Sequence, residues 1–300
     1  MKTLALSALF VLLSAGCYAQ TDSETPTPKT DLADELRSDW RDIAPENLLL
    51  MDTVHGRVVI EINSDFAPGH SDQFRTLSRQ GVYNGSRFYR VIDGFVAQGG
   101  LQDETVIATH PTLKNENDRP ISKSLFVELG NADLFAPIVG HIDGFPVGRS
   151  ESLGKEWLLH CPGALAMARD NDPDSGGTEF YIVLDAQRYL DRNLTVFGRV
   201  IEGMEYVQKM KRGVRSVESG VIQAPDKGDE IIAITVAANL PESDRPTYRV
   251  MTSASGAFEA AKTAKRVRNE DFFYHKPPEV LDICGFEVPF EKSTPLKPND

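Results

Sequence analysis

The feature that most limits what this chain can fold into is a run of short strand-like segments with little helix between them. Eight segments carry the signal, at residues 48–53, 57–62, 88–92, 95–98, 163–168, 179–184, 195–200 and 229–237. They are rich in β-branched and aromatic residues, and the turn pairs His55-Gly56 and Asp93-Gly94 separate the members of the first two pairs. Only two helical patterns interrupt them. Pro68 opens the first, Phe74 and Leu77 mark its apolar stripe, and Gly81 closes it. The second spans 201–212, with Met204, Val207 and Met210 inward and Gly213 at its end. Short strands without βαβ alternation predict a mainly β fold, a closed eight-stranded antiparallel barrel with two capping helices. Side chains fill so small a barrel, so a ligand has to bind outside it.

Within this pattern the hairpin at residues 87–100 stands out. Its first strand alternates apolar and polar residues, and Asp93-Gly94 supplies the positive φ of a tight turn. On unbroken alternation Arg90 shares a face with Phe88 and Ile92. An arginine among apolar neighbours is costly to desolvate unless it has a partner or faces a cleft. A lone arginine of this kind more often snorkels to water, so the strand by itself assigns Arg90 no task.

The remainder divides by composition. Residues 1–19 read as a secretory signal, with Lys2, an apolar core at 4–13 and small residues at Ser14-Ala15-Gly16. One processing reading cuts after Ala19, and the other acylates Cys17 in a lipobox-like Ser14-Ala15-Gly16-Cys17. Either way the chain is expected to be exported, to the periplasm. Residues 20–45 form a polar tether, 46–238 the barrel domain, and 239–300 a C-terminal extension with one basic helical pattern at 255–269 and a strand pattern at 280–288. Residues 101–159 lack clear periodicity and read as an irregular insertion. With a formal net charge of -12 the chain is a poor match for nucleic acid or anionic lipid. Cys161 and Cys284 can pair in an oxidising compartment or stay as two buried thiols, and sequence separation does not choose.

Five blocks, in order, carry a resemblance. Phe88-Tyr89-Arg90-Val91-Ile92-Asp93-Gly94-Phe95-Val96-Ala97-Gln98-Gly99-Gly100 resembles the cyclophilin signature Phe-His-Arg-Val-Ile-x-Gly-Phe-Met-x-Gln-Gly-Gly. Pro162-Gly163-Ala164-Leu165-Ala166-Met167-Ala168, Gly177-Thr178-Glu179-Phe180-Tyr181-Ile182, Tyr189-Leu190-Asp191 and Thr195-Val196-Phe197-Gly198-Arg199-Val200 resemble the family's later segments. The resemblance implies a peptidyl-prolyl cis-trans isomerase that needs no cofactor and no metal. It implies that Arg90 favours the twisted X-Pro amide and that Gln98 binds substrate backbone and orients Arg90. Phe95, Val96, Tyr181, Leu190 and Leu194 then wall the proline pocket, beside Ala168 and Arg169, with Tyr189 and Glu179 in the same substrate region.

This chain also departs from the family pattern. Glu179 stands where the family has Gln, Val96 where it has Met, Tyr189 where it has Trp and Leu194 where it has His. An ionised carboxylate accepts but cannot donate, so Glu179 is expected to pair with Arg90 and hold or dampen it. That opens an alternative, a non-catalytic or weakly catalytic proline-peptide-binding module or chaperone on the same barrel. The six histidines show no paired metal-ligand spacing. Expected partners are proline-containing polypeptides and no nucleic acid, with a membrane reached only through an anchor at Cys17, and the chain is expected to be a monomer.

Overall fold

The computed structural model describes residues 39–293. The signal and anchor readings at 1–19, the tether at 20–38 and the last residues 294–300 lie outside the described residues.

Eight antiparallel strands close into a barrel. Round it they run Ala164–Met167, Glu179–Val183, Val96–Gly100, Arg87–Val91, Asp229–Val236, Leu48–Thr53, Gly56–Ile62 and Val196–Glu202. These are the eight segments read from the sequence, with their ends moved by a residue or two. Alternation sets the interior: Leu49, Met51, Val58, Ile60, Leu165, Phe180 and Ile182 all point inward and are buried in one apolar cluster. Burying each such side chain contributes roughly 1.5–3 kcal/mol, so the register is strongly specified.

The helix Pro68–Arg79 covers one end of the barrel. Its Phe74 is fully buried, with ring centroids 5.0 Å from Tyr83 and 5.2 Å from Phe180. Proline costs nothing in the first turn, where its missing N–H would have no helical acceptor. Glu116, from the insertion, accepts from the Gly69 and His70 N–H groups at 3.0 Å and so caps this helix from outside.

Four expectations need correction. The second helix is only the single turn Met204–Val207. Beyond it Lys211 N–H donates to Asp229 at 2.6 Å and Gly213 N–H to the Val91 carbonyl at 2.7 Å, which draws the chain onto the barrel. Val207 and Met210 are still buried. The stretch 101–159 is not irregular throughout. It holds a five-stranded antiparallel sheet in the order Arg119–Pro120, Lys155–Leu158, Phe145–Ser150, Ile138–Ile142 and Val127–Glu128. Its central hairpin turns at Asp143 and Gly144, with φ of 50° and 79°, the left-handed pair that a tight hairpin turn requires.

The third correction concerns the tether. Residues 40–42 of it form a strand, Trp40–Asp42, on Thr247–Met251, which also pairs with Phe290–Ser293. The fourth concerns residues 280–288, which make no strand. Asp282 accepts from Cys284 N–H at 2.7 Å and Gly285 N–H at 3.2 Å, and this local bonding favours the helical turn Ile283–Gly285. The basic helix is present as Gly256–Arg266, with the Ser255 hydroxyl capping Phe258 N–H at 3.1 Å.

Cys161 and Cys284 are joined in a disulfide, so the two-thiol alternative falls away. Around it Trp157, Leu159, Phe258, Leu281 and Phe286 form one buried cluster. The insertion and the extension therefore share a core, and that core sits against the barrel.

Candidate active site

The hairpin Arg87–Val91 and Val96–Gly100 does not keep the simple alternation. Arg87 pairs with Gly100 but Arg90 with Gln98, so one extra residue bulges from the first strand. Phe88 and Val91 both enter the core, which leaves Tyr89 and Arg90 together on the outside. Arg90 thus does not share a face with Phe88. The bulge gives the site two adjacent outward side chains where a regular strand would offer one.

Arg90 is half-buried above a small apolar hollow of about 160 Å³, below the roughly 300 Å³ at which drug-sized pockets begin. Phe95, Val96, Tyr181, Leu190 and Leu194 wall it, and Gln98, Ala168 and Arg169 complete the rim. Nine of the eleven residues named from the sequence therefore converge on one place. Tyr189 does not; it is 61 % exposed and outside the hollow. Nor does Glu179, which bonds the Tyr89 hydroxyl outside the hollow.

The polar groups form a chain of hydrogen bonds with a consistent direction. Arg90 donates from Nη1 to Gln98 Oε1 at 2.9 Å and from Nε to the Ser219 carbonyl at 2.8 Å. Gln98 Nε2 donates to the Tyr89 hydroxyl at 2.6 Å, and that hydroxyl donates in turn to Glu179 Oε1. The expected Glu179–Arg90 pair is absent: the carboxylate acts two residues away, through Tyr89 and Gln98. The guanidinium is held at two points, while its Nη2 has no protein partner among the described residues. Burial holds the Arg90 pKa below its ordinary value, with the nearby Arg215 charge adding and Tyr89 opposing.

Burial raises the Glu179 pKa, the Tyr89 bond opposes, and the charges of Asp170 and Glu104 push further upward. In acid the carboxyl takes up a proton, and Tyr89 loses a charged acceptor. We expect kcat/KM to fall several-fold along an acid limb whose midpoint lies above the ordinary Glu value of about 4.3, and Glu179→Gln to flatten that limb. Stability should run the opposite way. A carboxyl whose folded pKa is raised contributes stability fully below the unfolded value and loses it as pH rises through the folded value. Glu179→Gln is therefore expected to melt higher than the parent at neutral pH. A pH profile and a melting curve for the pair check both signs.

Beneath the hollow lies a second network. Tyr181 OH is 2.9 Å from His160 Nε2, and Asp191 Oδ1 is 3.1 Å from His160 Nδ1. Arg188 Nε donates to Asp191 at 2.7 Å and its Nη1 to Asp133 at 2.9 Å. With Nδ1–H donating to Asp191, Nε2 accepts from the Tyr181 hydroxyl and fixes that ring as the pocket floor. The sequence reading missed Tyr89, His160 and Ser219. Tyr89 was readable only as the outward neighbour of Arg90 once a bulge is allowed; the other two carry no local signal.

A larger hollow of about 600 Å³ lies between the barrel and the extension, lined in part by Phe145, Arg199, Lys265 and Phe286. It shares no lining residue with the Arg90 site, and the choice between them rests on chemistry rather than size.

A family model described as cyclophilin type peptidyl-prolyl cis-trans isomerase/CLD matches residues 48–236. A probable peptidyl-prolyl cis-trans isomerase of Brucella abortus (strain 2308) is 33% identical over 197 residues, which are 65% of this chain and 85% of that protein. Peptidyl-prolyl cis-trans isomerase B of Bacillus subtilis is 30% identical over 157 residues, 52% of this chain and 85% of the other. Among solved structures, cyclophilin AquaCyp293 from Hirschia baltica is similar with a TM-score of 0.70 and 27% sequence identity, covering 89% of this chain and 97% of that one. The chain belongs to the cyclophilin-type peptidyl-prolyl cis-trans isomerase family. It is an isomerase on a cyclophilin fold.

Proposed function

We propose that the enzyme isomerises X-Pro bonds in exported polypeptides, with Arg90 as the donor that stabilises the twisted amide. The barrier to this rotation is roughly 20 kcal/mol, because resonance is lost in the twisted state. As the bond twists, the proline nitrogen pyramidalises and gains a lone pair. A guanidinium aimed there bonds the twisted state and neither planar one, which is differential binding without nucleophile or proton transfer.

The observation that carries this reading is the free Nη2 of a two-point-held Arg90 above an apolar hollow of single-side-chain size. Gln98 and Ser219 hold the guanidinium, Phe95 and Tyr181 take the ring, and Ala168 and Arg169 flank the path of the backbone. The non-catalytic alternative drew on a Glu179–Arg90 pair, and Glu179 bonds Tyr89 instead. NMR exchange spectroscopy on an Ala-Pro peptide tests the proposal. Faster exchange between the two isomers is expected, whereas binding without acceleration would return the protein to a binding module.

The exported location and the anchor rest on residues 1–19 alone. Intact mass of the membrane and soluble fractions reads them: an acylated Cys17 supports the anchor, and a mature Gln20 terminus removes it.

A further inference from the structure

Three guanidinium groups surround the proline pocket of a chain whose formal net charge is -12. Two of them are anchored to neighbouring groups. Arg169 donates to the Asn193 carbonyl from Nε at 3.0 Å and Nη2 at 2.7 Å, and from Nη1 to the Asp170 carbonyl at 2.6 Å. Arg90 is bound to Gln98 and Ser219 as described. The third, Arg215, is exposed and different. Its guanidinium carbon lies 5.6 Å from the centroid of the Phe95 ring, the same distance as that of Arg90 from the same ring. Among the described residues no carboxylate lies within ion-pair distance of Arg215.

Arg215 is held in place by its loop rather than by an acid. The loop is fixed to the site strand at both ends: Gly213 N–H donates to the Val91 carbonyl at 2.7 Å and Ile222 N–H to the Tyr89 carbonyl at 2.8 Å. Between them Glu218 and Ser219 have φ of 45° and 53°, left-handed conformations costing non-glycine residues roughly 1–2 kcal/mol each. That strained turn presents the Ser219 carbonyl to Arg90. One loop thus both fixes Arg90 and brings a second like charge to the same Phe95 ring.

Two of the nearby acids are already engaged. Asp93 pairs with Arg212 at 3.2 Å, and Glu179 accepts from Tyr89. Glu218 is exposed, with no ion pair among the described residues. Both guanidinium groups lie 5.6 Å from the Phe95 ring centroid, so an anion beside that ring is attracted by both.

We propose that Arg215, with Arg90, forms an anion-binding subsite beside the proline pocket, which selects proline segments bearing Asp or Glu within two residues of the proline. This rests on the isomerase reading above. The reach follows from geometry, since an extended residue spans at most about 3.6 Å and only close neighbours of the bound proline pass Phe95.

The test is a peptide series with one proline and alanine elsewhere, in which Glu or Lys replaces each of the two residues on either side in turn. We expect Glu at one or more of these positions to raise kcat/KM about three- to fivefold over alanine at low salt, the range of an exposed ion pair, and Lys to lower it. Salt of about 0.5 M should shrink the ratio. Arg215→Gln should bring the ratio close to one, and Arg215→Glu should reverse it in favour of Lys. A wild-type ratio near one at all four positions overturns the subsite, as does a Glu preference that survives both variants. If no peptide is isomerised, the isomerase reading fails instead, and the same ratios taken from calorimetric Kd values decide the subsite.

Discussion

Replacing Arg90 by alanine is expected to lower kcat/KM on a proline peptide on the order of 10²- to 10³-fold, the usual cost of removing one preorganised donor from a transition state. The loss should fall on kcat, because the bond from the guanidinium to the proline nitrogen exists only in the twisted state. Peptide affinity should change little, since Phe95, Val96, Tyr181, Leu190 and Leu194 still wall the hollow. The fold should hold as well: Arg90 is half-buried on the outside of the barrel, and its strand owes its core contacts to Phe88 and Val91. Arg90→Lys is a sharper version. Lysine keeps the charge but lacks the planar fork that lets Arg90 bond Gln98 and Ser219 at once. An intermediate loss is expected, and a lysine variant as fast as the parent would show that charge alone suffices. Exchange rates with circular dichroism of each variant check these outcomes, and an alanine variant within a few-fold of the parent would sink the mechanism.

The barrel was legible because each of its strands carries its own pattern: strand-length runs of apolar residues, ended by glycine or a polar turn. The pocket walls were legible only by resemblance, since Phe95 or Leu190 taken singly reads as core. The relay was not legible. It depends on Arg90 standing opposite Gln98 and Glu179 opposite Gly100, and a one-residue bulge places Tyr89 between those pairs. A period-two rule presumes an unbroken ladder and therefore put Arg90 beside Phe88.

The insertion sheet was missed for another reason. Its strands include Gly140, Pro146 and Gly148, residues that weaken a strand signal. These strands are ordered by what they pack on: Trp157 lies across Gly148, where a Cβ would come within 2.6 Å of its ring nitrogen. The pair Asp143-Gly144 was nonetheless a turn signal of the same kind as Asp93-Gly94. The loop carrying Arg215 and Ser219 has no such marker, because its shape is set by backbone bonds to Tyr89 and Val91, more than a hundred residues earlier.

The largest stability effect is expected at Glu156, which joins that insertion to the pocket. Its side chain is fully buried and accepts from Arg119 Nε at 2.9 Å, Arg149 Nη2 at 2.7 Å and Ser122 N–H at 3.2 Å. Arg119 lies 3.5 Å over the Phe66 ring and Arg149 4.1 Å over Phe126. Both rings pack on the cluster that contains Val96 and Tyr181, so the carboxylate holds two arginines against the back of the pocket wall. Glu156→Gln leaves two poorly hydrated guanidinium groups without a counter-charge, which costs roughly 3–5 kcal/mol when one partner of a buried pair is removed. Urea unfolding at neutral pH measures it. Burial pushes the Glu156 pKa up, but the bonds from Arg149 and Ser122 and the charge of Arg119 outweigh it, and the net shift is downward. A depressed carboxyl contributes stability above its unfolded value of about 4.3 and loses it as pH falls through the folded value. The gap between parent and Glu156→Gln should therefore narrow in acid. A neutral-pH loss under about 1 kcal/mol would mean that water already screens the pair, as it does for exposed ones, and that the insertion is held by its apolar contacts alone.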